Sequence, residues 1–60
     1  MTEVFVIEKM VVLGVWELLS NKAYKNKGTA LDNCERVMKY MQKSDKNFAA
    51  RVTKLLIDLE

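Results

Sequence analysis

Apolar and polar positions alternate along this chain in patterns that change twice. Val4-Phe5-Val6-Ile7 is an unbroken β-branched and aromatic run, the composition of a strand. A helix drawn through residues 3–19 would scatter Glu3, Glu8, Lys9 and Glu17 around its whole circumference. It would have no polar face, so a helix is rejected there. Gly14 is the natural point of reversal, because glycine accepts positive φ freely. The residues before it, Val11, Val12 and Leu13, are unusually apolar for a turn. A second strand is predicted from about Val15 to Ser20, with Trp16 and Leu18 on one face and Val15, Glu17 and Leu19 on the other.

Residues 21–28, NKAYKNKG, have the composition of a loop. Thr29 then reads as an N-cap, with Asp32 three residues on at the capping-box spacing. Ala30, Leu31, Cys34, Val37, Met38 and Met41 fall on one face of the helix that follows, predicted over about 29–43. Asp32–Arg36 and Glu35–Lys39 are acid-before-base pairs at i,i+4, each contributing on the order of 0.3 kcal/mol. Lys39 and Lys43 suit the negative end of the helix dipole.

The last segment supports two readings. Phe48, Val52, Leu55, Leu56 and Leu59 make a helical stripe, which gives a ββαα chain. As a strand, Arg51, Thr53, Leu55, Ile57 and Leu59 share one face, with poorer alternation. Architecture tips the balance, since a two-stranded hairpin is a weak platform for one helix and three strands make a stable sheet. The expected fold is α+β: a small antiparallel ββαβ sheet with one amphipathic helix on one face.

Sixty residues make a single small domain, 1–60. Such a chain buries only roughly 60% of the surface it exposes when unfolded, and chains of this size commonly lean on disulfides, a metal or a partner. A single cysteine, Cys34, excludes an intramolecular disulfide, and the chain has no histidine to share a zinc site with it. A partner is therefore expected, the nearest being a second copy. Half of the residues are hydrophobic, which argues against disorder. Charges interrupt the apolar N-terminal run, so no membrane span is predicted, and the acidic Glu3 does not suit a signal peptide. The chain reads as cytoplasmic with a reduced thiol. The net charge of +2 conceals a basic middle: residues 21–46 sum to +4 and residues 1–20 to −2.

Trp16, Ala23-Tyr24, Thr29-Ala30-Leu31 and Arg51-Val52-Thr53-Lys54-Leu55 together resemble the short hairpin–helix–strand proteins encoded by many bacteriophages. The apolar Val11–Leu13 departs from that pattern, in which a polar turn is usual. The resemblance implies a ββαβ fold and a stoichiometric binder of a host protein.

The candidate sites follow from the same residues. Cys34 lies on the apolar helix face beside Val37 and Met38, a packing position rather than a reactive one. Glu8, Glu17, Asp32 and Glu35 supply carboxylates, but acid/base work needs two in one cleft with divergent pKa values. Gly14 and Gly28 stand alone, so there is no phosphate loop. No enzyme and no cofactor are expected. A sheet with one helix covers one face, so the Phe5/Ile7 or the Val4/Val6 set is expected to lie open. Phe5, Ile7, Val11, Val12, Leu13 and Trp16 are the candidate partner-binding residues, with Trp16 also a candidate core anchor. The expected function is a non-enzymatic inhibitor or modulator that binds another protein, as a homodimer. The alternative is a nucleic-acid module in which Lys22, Lys25 and Lys27 neutralise phosphates and Tyr24 stacks on a base.

Overall fold

β1 (Thr2–Val12) runs through the middle of a three-stranded antiparallel sheet, with β2 (Val15–Leu18) on one side and β3 (Ala50–Ile57) on the other. α1 (Lys27–Met41) connects the two outer strands. The computed structural model describes residues 1–58. The predicted ββαβ order is the observed one, and the final segment is a strand. Leu59, assigned to that strand from the sequence, lies outside the described residues.

Gly14 makes the reversal, at φ 82°. An L side chain is strained at that angle, so glycine suits the position. The register shifts between Met10 and Val12, so that Val12 rather than Val11 stands opposite Val15. Beyond Leu18 the chain keeps contact with β1. Leu19 donates its N–H to the Ile7 carbonyl, and Tyr24 exchanges two backbone hydrogen bonds with Phe5, at 2.7 and 2.8 Å.

The helix starts earlier than its sequence suggests. Asn26, not Thr29, is the N-cap: its Oδ1 accepts from the Gly28 N–H at 2.8 Å and from the Thr29 N–H at 3.3 Å. Thr29 is thereby drawn inside the first turn. Gly28 permits the close approach, since a Cβ there would meet Asn26 Oδ1 at 3.1 Å. At the other end, the Gln42 N–H bonds back to the Met38 carbonyl and its side-chain amide reaches the Phe48 carbonyl at 3.0 Å. Of the two expected helix ion pairs, Glu35–Lys39 forms at 3.4 Å; Asp32–Arg36 is not among the pairs within 4.0 Å.

Strand register sorts the sheet into two faces. Thr2, Val4, Val6, Glu8 and Met10 share one with Ile57, Leu55, Thr53, Arg51, Leu18 and Trp16. Glu3, Phe5, Ile7 and Lys9 share the other with Leu56, Lys54, Val52, Ala50 and Glu17. α1 packs against β1 and β3, and none of its Cα atoms comes within 8 Å of β2. The buried core comprises Val4, Val6 and Ile7 of β1 with Ala30 and Cys34 of α1. Each of the three β1 side chains contributes roughly 1.5–3 kcal/mol, so a small set of residues carries the apolar stabilisation.

This core corrects the expectation that one of the two β1 sets would lie open. Val4 and Val6 are buried on one face and Ile7 on the other, while Phe5 is half-buried. A central strand has neighbours on both sides, and these shield it even where no helix lies above.

The capping geometry yields a direct test. Asn26→Ala should lower stability by about 1 kcal/mol, the usual cost of a lost N-cap. Thr29→Ala should cost much less, because Thr29 provides no cap here. Urea denaturation midpoints of the two variants check the order; the reverse order would restore Thr29 as the cap.

Candidate functional site

Two surfaces carry the chain's unusual side chains: a polar row across one sheet face, and the tip of the β1–β2 hairpin.

The polar row crosses all three strands. Glu8 of β1 stands opposite Arg51 of β3 on one side and Leu18 of β2 on the other. Its Oε1 accepts from Arg51 Nε at 2.9 Å and from Thr53 Oγ1 at 2.6 Å. The Arg51 guanidinium also lies over the Trp16 ring of β2, with Cζ 4.1 Å from the centroid. That stacking is worth about 0.5–1 kcal/mol where solvent reaches it. Trp16 is thus neither an enclosed core anchor nor a free patch. It is half-buried, and a cation from the far strand caps it. The Thr53 hydroxyl foremost, then the Arg51 guanidinium, holds the Glu8 carboxyl below its usual range. Nothing in the spacing of residues 8, 16, 51 and 53 announces this row, because it exists only once β1 separates the two strands that flank it.

The opposite face carries two looser ion pairs, Lys9–Glu17 at 3.6 Å and Glu3–Lys54 at 3.3 Å. Exposed pairs of this kind contribute little. All three pairs join β1 to a neighbour, and so favour this register over its alternatives.

The hairpin tip is apolar and open. Val11, Val12, Leu13 and Val15 are all exposed there, Leu13 at 93% and Val12 at 61%; Leu18, also exposed, lies further back, opposite Glu8. Beyond the end of β3 the hairpin continues as a two-stranded ribbon with no helix over it. The candidate partner-binding residues therefore divide. Val11, Val12 and Leu13 are on the surface; Ile7, only 6% exposed, is in the core and unavailable to a partner. Phe5 is half-buried at the centre of the sheet.

Lys22, Lys25 and Lys27 are exposed, and none makes an ion pair within 4.0 Å among the described residues. Tyr24, set between them in the sequence, has its backbone tied to Phe5 and its side chain half-buried. The loop is therefore anchored at its middle, not free along its length. Cys34 is buried, and that burial pushes its thiol above the ordinary value, away from reactivity. Among the described residues no three His, Cys, Asp or Glu side chains gather as a metal site, and no helix is long and apolar enough to cross a membrane.

No protein-family model, curated protein or solved structure matches this chain.

The Glu8 row predicts an acid dependence. A carboxyl whose folded pKa lies below its unfolded value contributes stability that is fully present above the unfolded pKa. That contribution is lost as pH falls through the folded pKa. Urea midpoints measured from pH 7 downward should therefore drop below about pH 4.5, the ordinary glutamate value. Glu8→Gln should reduce the slope in that window; an unchanged slope would show that other carboxylates set it.

Proposed function

We propose that this chain is a non-enzymatic protein-binding module, an inhibitor or modulator that acts by occupying a surface of its partner. The β1–β2 hairpin is its contact element. The observation that carries the reading is the set of exposed apolar side chains Val11, Val12, Leu13 and Val15, on a hairpin whose second strand α1 does not reach. Folding alone gives no reason to place Leu13 at 93% exposure beside Val12 and Val15. Contiguous apolar surface of this kind is characteristic of interaction sites.

The polar row behind the ribbon suits the same role. It holds Trp16 and Arg51, residue types enriched in binding hot spots, in fixed relative positions before any partner arrives. Rigid presentation reduces the ordering cost of association. The resemblance to phage-encoded binders suggests a host protein as the target.

Val12→Glu places a charge in this surface without touching the core. Immobilised wild-type chain should retain a partner that the Val12→Glu chain retains at least tenfold less well, a change of about 1.4 kcal/mol. Far-UV circular dichroism should be the same for both. Equal retention by both chains would remove the hairpin as the contact element.

A further inference from the structure

The outer edge of β3 is an open row of backbone groups, and the bonds made on its inner side show which groups these are. Met10 donates its N–H to the Ala49 carbonyl at 3.0 Å, in register with the β1–β3 ladder. Hydrogen-bonded pairs recur at every second residue, so Arg51, Thr53, Leu55 and Ile57 turn their N–H and C=O groups toward β1. Ala50, Val52, Lys54 and Leu56 turn theirs outward. β1 agrees with this alternation, because Phe5 and Ile7 bond the other way, to Tyr24 and Leu19. β3 is an outer strand, and among the described residues no hydrogen bond reaches its outward backbone groups. Sheets commonly blunt such edges with proline, a bulge or a very short strand. β3 is eight residues long, contains no proline and keeps one unbroken register with β1. Leu55 and Leu56, on opposite faces of it, are 40% and 58% exposed.

The end of this strand is its own antiparallel complement. Residues 54–58 read Lys-Leu-Leu-Ile-Asp. A two-fold axis through Leu56 sets Leu56 against Leu56, Leu55 against Ile57 and Lys54 against Asp58. The outward groups of Leu56 then meet their twins, and those of Lys54 meet Asp58. Every opposed pair is apolar or opposite in charge, the kind of cross-strand pair that stabilises a sheet. Lys54 already reaches Glu3 at 3.3 Å on the β1 side, and Asp58 of the second copy adds an acid on the other. An axis through Lys54 would instead oppose two lysines directly. An axis through Thr53 or Leu55 would leave them diagonal neighbours, about 7–8 Å apart, with no acid directly opposite either. The helices do not obstruct the contact. α1 lies over β1 and β3, and strands about 4.8 Å apart set the helices of the two copies about 10 Å apart, the spacing at which helices pack.

We infer that β3 pairs edge to edge with β3 of a second copy of this chain, antiparallel and in the Leu56-centred register, so that the two sheets become one. The contact uses both β3 edges and closes at two copies. It leaves the hairpin tips free for another protein, so the two surfaces stand or fall separately.

Sedimentation of the full chain across a concentration series tests it. Wild type should pass from monomer to dimer. Leu56→Lys sets two lysines against each other at the axis and should raise the dissociation constant at least about tenfold. Lys54→Glu and Asp58→Lys should each raise it about tenfold, since each reversal acts twice in the dimer. The combined Lys54→Glu/Asp58→Lys chain should return it close to the wild-type value. All three positions are exposed, so far-UV circular dichroism should be unchanged in every variant. A wild type that stays monomeric throughout would overturn the inference. So would a dimer that Leu56→Lys leaves intact, or a combined variant no better than the single reversals. A dimer lost in Leu13→Asp and kept in Leu56→Lys would also overturn it, by placing the contact at the hairpin tip.

Discussion

Everything in this structure depends on β1 being bonded along both of its edges. β2, Leu19 and Tyr24 take one side and β3 takes the other, so its eleven residues organise nearly the whole chain. The consequence for packing is direct. Val4, Val6 and Ile7 lie buried although they point to opposite faces: β3 flanks all three, and the chain from Leu19 to Tyr24 closes the other edge at Ile7 and Phe5. A strand in that position needs apolar residues at both parities. The unbroken Val4–Ile7 run, excessive for a solvated ribbon, is what a central strand requires.

The polar row is the second consequence. With β1 between them, Trp16 and Arg51 meet across a full strand's width, and Glu8 lies beneath the guanidinium. One carboxylate oxygen receives both Arg51 and Thr53, so the row fixes β3 against β1 at a single register. A one-residue slip of β3 would turn Arg51 and Thr53 to the other face and leave Glu8 without partners. In a core of so few buried side chains, such pairing contributes specificity that packing alone supplies weakly.

The same arrangement separates stability from interaction. α1 buries Ala30 and Cys34 in its packing on β1 and β3 while Leu31 and Met41 of the same face stay exposed, and β2 stands beyond its reach. The apolar side chains of the hairpin tip do not hold the domain together, which makes them free to serve association. A partner's surface would give them the cover that a chain of 60 residues, with one thiol and no histidine, has reason to seek.

Local chemistry determined much of this protein from the sequence alone. Gly14 marked the reversal, the Ala30–Cys34–Val37 face marked the helix, and Lys22 and Lys25 marked an exposed loop, though Lys27 of the same run opens the helix. Each depends on residues within one or two turns of each other, and periodicity records such neighbours. The N-cap was misplaced by three residues because Asn26 and Thr29 are both competent caps, and the choice rests on backbone geometry. The final segment was ambiguous for a related reason: Phe48, Val52, Leu55 and Leu56 satisfy a helical stripe and a half-buried strand alike. Pairing with β1, eight residues in register from Thr2↔Ile57 to Lys9↔Ala50, decided it. Tertiary structure alone also joined Glu8 to Arg51 across 43 positions, and put Ile7 in the core and Leu13 in the open. Burial and long-range pairing are properties of where a residue ends up among its neighbours, and no local pattern carries that information.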